Sequence, residues 1–176
     1  MAIIGLWGEA VLGLEEQGTV SKSRVALVRC DTYDDNQVYE AIRSGLDLLG
    51  GVSRFVKPGE RIVLKPNVLI GSKPDKSVTT HPSVFKAVGR LFKEAGASVS
   101  YGDSPSFGKC EPNMRKSGLK DVGDELGLSV ADFDSGRPVS HKDAAALRIA
   151  RQSFAKKIDS SIRYQFYTTQ SAPRQE

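Results

Sequence analysis

The strongest constraint in this chain is an alternation: short β-branched runs take turns with stretches whose apolar residues recur at helical spacing, and glycines close the intervals. Residues 24–30, RVALVRC, read as a buried strand. In the following DTYDDNQVYEAIRSGLDLLGG, Val38, Ile42, Leu46 and Leu49 fall on one helical face, acids crowd the first turn, and Gly50-Gly51 supply the stop. Pro58-Gly59 turns the chain into a second strand, Arg61 to Lys65, which Pro66 must end because it cannot donate to a ladder. A polar stretch, GSKPDKSVTTHP, leads to a helix with Pro82 at its first position and His81 or Thr80 as cap. Its stripe is Val84, Val88, Leu91, Phe92 and Ala95, and Gly96 ends it. A third strand, 98–102, is followed by a broken helical region with Leu119, Val122 and Leu126 inward, and a fourth strand near 128–133.

The order β-α-β-α-β-α-β with crossover-length helices predicts an α/β fold: a Rossmann-like three-layer sandwich on a mostly parallel sheet. Three segments are expected: an N-terminal extension at 1–22, the α/β domain at 23–136, and a basic helical or irregular tail at 137–176. In the tail, Ser140 and Asp143 form a capping-box pattern before a helix over about 142–157, and IRYQFYTTQ alternates like a strand. With four strands and a ragged basic end, the carboxy-terminal side of the sheet reads as incomplete: either the chain is truncated, or an edge is left for a partner subunit or a second copy to cover.

Composition matters here for what it excludes. The chain has 176 residues and a net charge of +4, yet the segment from Arg137 carries eight Lys/Arg against three acids. Residues 1–136 are therefore close to neutral. A nucleic-acid-binding body would carry its own basic face with aromatic interleaving, so nucleic acid is not an expected partner. No apolar run approaches the ~18 residues of a membrane helix, so neither a membrane span nor a membrane partner is expected. The first twenty residues lack a basic start and hold Glu9, Glu15 and Glu16, which makes a poor secretory signal. Cys30 and Cys110, the two cysteines, build neither a disulfide framework nor a four-thiolate metal site. They read as free thiols in a reducing, cytoplasmic setting, and no metal ligand set is assigned.

A parallel sheet gathers the carboxyl ends of its strands on one edge, where open α/β sheets bind ligands. The residues just past the strands are Asp31 and Thr32; Lys65 and Asn67; Asp103, Ser104 and Ser106; and Asp134. The segment GDSPSFGK is the sharpest of these signals. Gly102, Ser104, Ser106 and Gly108 make a small-residue loop able to turn backbone N–H groups toward a phosphate or carboxylate. It matches neither nucleotide fingerprint, G-x-G-x-x-G or G-x-x-x-x-G-K-[ST]. Lys65, ending an apolar strand, needs a carboxylate or an anionic ligand, and Asp103 is the carboxylate at hand. His81 reads either as an acid–base group or as a helix cap. The expected catalytic set is thus Lys65, His81 and Asp103, with Asn67, Thr80, Gly102, Ser104, Ser106 and Gly108 binding a small anionic ligand or cofactor of unknown identity.

The combination LKPN, TTHP and GDSP, in that order and spacing, resembles the family called domain of unknown function 362, over roughly Ser23 to Lys142. The resemblance implies an α/β protein of bacteria or archaea. Some family members carry a ferredoxin-like module with iron–sulfur clusters on Cys-x-x-Cys-x-x-Cys runs. This sequence contains no such run, and from about Ile149 it departs from the family pattern. The resemblance thus makes the chain an amino-terminal part of the family domain, raises interest in Lys65, Asn67, Thr80, His81, Asp103 and Ser104, and leaves the reaction open.

Overall fold

The computed structural model describes residues 2–5, 24–135 and 167–169. In chain order the elements are β1 (Ala2–Gly5), β2 (Ala26–Val28), α1 (Asp35–Leu48), β3 (Arg61–Leu64), α2 (Pro82–Glu94), β4 (Ser98–Tyr101), α3 (Cys110–Lys116), α4 (Leu119–Glu125), β5 (Ser129–Val130) and β6 (Tyr167–Thr169). Short 3₁₀ turns occupy Val52–Arg54 and Pro74–Lys76. The protein is an α/β fold built on a parallel sheet of order β3-β4-β5. The register sets Arg61 opposite Ser98, Leu64 opposite Tyr101, and Tyr101 opposite Val130.

Helix positions follow local rules. The Asp34 carboxylate caps α1, accepting from the backbone N–H groups of Asn36 and Gln37 at 3.1 and 3.0 Å. Val38, Ile42, Leu46 and Leu49 are each at most 4% exposed, as their helical spacing requires. Burying such a side chain stabilises the fold by roughly 1.5–3 kcal/mol. Pro82 opens α2 with His81 as its cap. After α2 the chain turns at Gly96, where φ is +86°. Its carbonyl accepts from Gly59 N–H at 2.9 Å, so the helix stop and the Pro58-Gly59 turn are tied together.

Both crossovers step the same way along the sheet, and right-handed connections therefore lay α2 and α4 on the same face. Phe85 of α2 meets Tyr101 with ring centroids 5.0 Å apart. Gly123 of α4 lets the same ring approach so closely that a Cβ there would lie 2.3 Å from the Tyr101 hydroxyl. Helix α1 runs alongside α2 in the same direction. Lys86 pairs with Asp35 at 2.8 Å, the Tyr39 hydroxyl donates to Glu94, and Arg90 stacks 4.2 Å above the Tyr39 ring.

One strand differs from the sequence expectation. β2 does not join the parallel ladder; it pairs antiparallel with β1, Ile3 opposite Leu27, and β1 pairs antiparallel with β6, Ile3 opposite Thr169. The run RVALVRC specifies a strand but not its partner or direction. Its burial is one-sided, with Ala26 4% exposed against 61% for Val25 and 63% for Leu27. A strand central to a parallel sheet would hide both faces. The sheet is therefore a three-strand parallel unit, with the first strand outside it. The helical region after the third strand resolves into two helices, α3 and α4, separated by Ser117 and Gly118. The expected helix at 142–157 and the basic tail lie outside the described residues.

Candidate functional site

The carboxyl edge of β3 and β4 is where separated polar residues meet. Gly102 extends the β4 ladder by donating to Leu64 O at 3.0 Å, so Lys65 and Asp103 leave the sheet side by side. Lys65 Nζ lies 2.6 Å from Asp103 Oδ1, with the two side chains 18% and 6% exposed. The ammonium also donates to Asn67 Oδ1 at 3.2 Å. Asp103 Oδ2 accepts from the Val68 backbone N–H at 2.7 Å, while Oδ1 takes no aligned hydrogen bond among the described residues and faces the charge of Lys65. Thr80 joins through Asn67: its hydroxyl accepts from Asn67 N–H and its N–H donates to Asn67 O, both at 3.0 Å.

Gly102 is buried because Phe133 covers it; a Cβ at this position would come within 2.3 Å of that ring. Past Asp103 the loop rises to the surface, where Ser104, Ser106 and Gly108 are exposed. It is fastened to the loop after β3. Ser106 N–H donates to Leu69 O at 2.9 Å. Asn113, 6% exposed, accepts from Gly71 N–H at 2.6 Å and donates to Phe107 O and Lys109 O at 2.8 Å each.

His81 serves a different contact. Its Nδ1 accepts from Ser83 N–H at 3.2 Å, capping α2, and its ring stacks on Tyr33 with centroids 3.8 Å apart. Burial holds its pKa below the ordinary histidine value, opposed by the nearby Asp35 charge. Ser83 Oγ donates to Tyr33 O at 2.7 Å, so the segment before α1 is pinned to the start of α2. Of the expected residues, Lys65, Asn67, Thr80 and Asp103 form one bonded cluster. Ser104, Ser106 and Gly108 lie on the open loop beyond it, and the His81 ring is engaged by its cap and stack.

Two other strand-end residues are engaged locally. Asp134 Oδ1 accepts from Cys110 N–H at 3.0 Å, and Asp31 pairs with Arg29. Sequence reasoning missed Asn113, Tyr33 and the Cys110 sulfur, which accepts from Asp103 N–H at 3.5 Å. A single Asn inside EPNMRK or a Tyr before a cap carries no motif. Only the folded loops show what they join. Cys110 and Cys30 are both free thiols. Burial pushes the Cys110 thiol up from its ordinary pKa, which keeps it protonated and a weak nucleophile. Among the described residues no three His, Cys, Asp or Glu side chains gather as a metal site. An open groove lined by Leu27, Val28, Arg29, Ser44, Asp47 and Leu48 lies away from this cluster, between β2 and α1.

The arrangement defines an α/β protein whose polar cluster sits at the carboxyl edge of a parallel sheet. The chain belongs to the family described as domain of unknown function (DUF362), whose model matches residues 62–162. It is 35% identical over 130 residues to the thylakoid-associated protein sll1697 of Synechocystis sp., a match covering 73% of this chain and 40% of that protein. No solved structure matches. No helix among the described residues is long and apolar enough to cross a membrane.

Proposed function

We propose that this chain binds a small anionic ligand or cofactor, a phosphate or carboxylate, over the loop Gly102–Gly108, with Lys65 as the positioned cation. The observation that carries the reading is the Lys65–Asp103 pair, 2.6 Å apart and mostly withdrawn from water at the carboxyl edge of the sheet. A buried ion pair is seldom more stabilising than apolar side chains of the same volume, so its placement beside an open loop fits a binding role better than a purely structural one. Asp103 neutralises part of the lysine charge and fixes its position, Asn67 orients it, and Ser104 and Ser106 offer hydroxyls at the rim. In this reading Lys65 and Asp103 are the candidates for catalysis, and His81 acts through the start of α2.

An iron–sulfur module beside this ligand site draws its thiolates from outside these 176 residues, because the two cysteines here build no four-thiolate cluster. A reducing, cytoplasmic location suits two free thiols, and the name of the Synechocystis relative adds association with thylakoids to the settings in which the protein is sought.

The test is calorimetric titration of the full chain with inorganic phosphate and with small di- and tricarboxylates. Binding by wild type is expected for at least one of them. Ser104→Asp and Ser106→Asp, at exposed positions, place a negative charge on the rim and are expected to abolish it without changing the unliganded melting temperature. Silence of wild type toward every anion, or binding unaltered by both substitutions, overturns the reading.

A further inference from the structure

Beyond the polar cluster, the two loops that flank it expose apolar side chains in a pattern the core does not need. An isolated antiparallel bridge joins Val68 to Thr79, so the segment between them forms a hairpin. Val68 and Thr79 point inward, 1% and 3% exposed, while their neighbours Leu69 and Val78 point outward, 62% and 39% exposed. Ile70 is 46% exposed, and Phe107 on the adjoining loop is 73% exposed. Asn113 and the Ser106–Leu69 hydrogen bond hold the two loops together, so these four side chains share one rim. Lys73 and Lys76 stand on the hairpin tip and Lys109 follows Phe107, all exposed. The acids nearby are Asp75, exposed 3.6 Å from Lys76, Asp134, exposed and held by the Cys110 N–H, and Glu111, paired with Arg115.

We propose that this rim docks on an anionic lipid surface. Protruding aliphatic and aromatic side chains ringed by lysines fit a bilayer boundary, where the apolar tips enter the acyl region and the ammonium groups meet headgroup phosphates. The charge balance favours that occupant over a neutral partner surface: among the described residues of the rim, three lysines face two acids, Asp75 and Asp134, that no arginine engages. The rim opens on the same side as Ser104 and Ser106, so a docked chain would hold its polar loop next to the membrane.

The experiment is co-sedimentation of the full chain with vesicles of phosphatidylcholine, alone or mixed with phosphatidylglycerol. Wild type is expected to pellet with the mixed vesicles and to be released as salt is raised. The Leu69→Ser/Phe107→Ser and Lys73→Glu/Lys109→Glu pairs are each expected to weaken the partition by about tenfold. The melting temperature should stay put, since all four positions are exposed. Failure of wild type to pellet, pelleting indifferent to phosphatidylglycerol, or full retention by the Leu69→Ser/Phe107→Ser variant overturns the proposal. So does self-association that this same variant dissolves while vesicles are ignored, which would make the rim a contact between copies. Anion binding in the preceding titration is read independently of vesicles, so either result stands without the other.

Discussion

Asp103 Oδ1 sits 2.6 Å from Lys65 Nζ, with no aligned hydrogen bond among the described residues, while the other carboxylate oxygen takes the Val68 N–H at 2.7 Å. The carboxylate is thus held on one side by a backbone hydrogen bond and on the other by the Lys65 ammonium. Lys65→Met leaves that carboxylate buried and unpaired, a loss expected to cost about 3–5 kcal/mol. Asp103→Asn keeps an acceptor for Val68 and leaves the more exposed ammonium, so about 1–3 kcal/mol is expected. Urea denaturation of both single variants and the double variant measures the coupling. A double variant whose loss equals the sum of the singles would show that the pair contributes nothing.

The buried hydroxyl of Tyr101 finds no partner among the described residues, and burial, reinforced by the Asp124 charge, raises its pKa to about 12. It remains a neutral phenol across the physiological range, and its O–H is an unmade hydrogen bond. Tyr101→Phe removes that group and is expected to be neutral or stabilising, by up to about 1–2 kcal/mol. Gly123→Ala is expected to destabilise by at least about 1–3 kcal/mol, since its Cβ would lie 2.3–2.6 Å from three atoms of a ring that is 0% exposed. Part of that loss should vanish in the Tyr101→Phe background, because the hydroxyl is the nearest of the three atoms. Thermal melts of the four proteins decide it.

His81 caps α2 through Nδ1, which accepts a hydrogen bond only while the ring is neutral. Its pKa in the folded chain is lowered, first by burial, so the unfolded chain binds the proton more readily. Stability contributed by this group is therefore full above the unfolded value near 6.5 and declines as pH falls below it toward the lowered folded value. His81→Asn keeps a side-chain acceptor at the cap without titrating. The prediction is a loss of melting temperature between pH 7.5 and 5.5 that is smaller in His81→Asn than in wild type; His141 is common to both and cancels. Equal slopes would show that the cap is not proton-sensitive.

The helices were the most legible part of the sequence, because their information is local. Asp34, Pro82 and Gly96 each act within a turn of where they stand, and the stripe Val38, Ile42, Leu46 and Leu49 is buried as its spacing demands. Phe85, 3% exposed, escaped that reading because it lies one position off the stripe assigned to α2, on the side that meets Tyr101. The partner of β2 was not legible. A β-branched run pairs equally well in either direction, and what decides is a segment far away in sequence, Ala2–Gly5. At the polar edge, strand ends bring Lys65 and Asp103 together by topology, which the α-β alternation already implies. The Val68 N–H, Cys110 Sγ and the Tyr33 stack depend on loop paths that no spacing encodes.

Loop path is also what Asn113 controls. One buried amide joins Gly71, Phe107 and Lys109, using its oxygen once and its nitrogen twice. Asn113→Ala removes all three bonds and strands the Gly71 N–H, for an expected cost of about 1–3 kcal/mol. Asn113→Asp retains the oxygen but loses both donors and puts a carboxylate near two carbonyls, so it should be no better. Gly71 shows the same closeness from the other side: a Cβ there would lie 2.9 Å from the Asn113 backbone, which cannot swing away as a side-chain tip could. Gly71→Ala should therefore separate the loops without altering Asn113 itself. Limited trypsin digestion reads the outcome, with cleavage after Lys76 and Lys109 expected to accelerate in each variant while α1 and α2 stay protected from hydrogen exchange. If cleavage rates match wild type, the amide staple does not hold the two loops together.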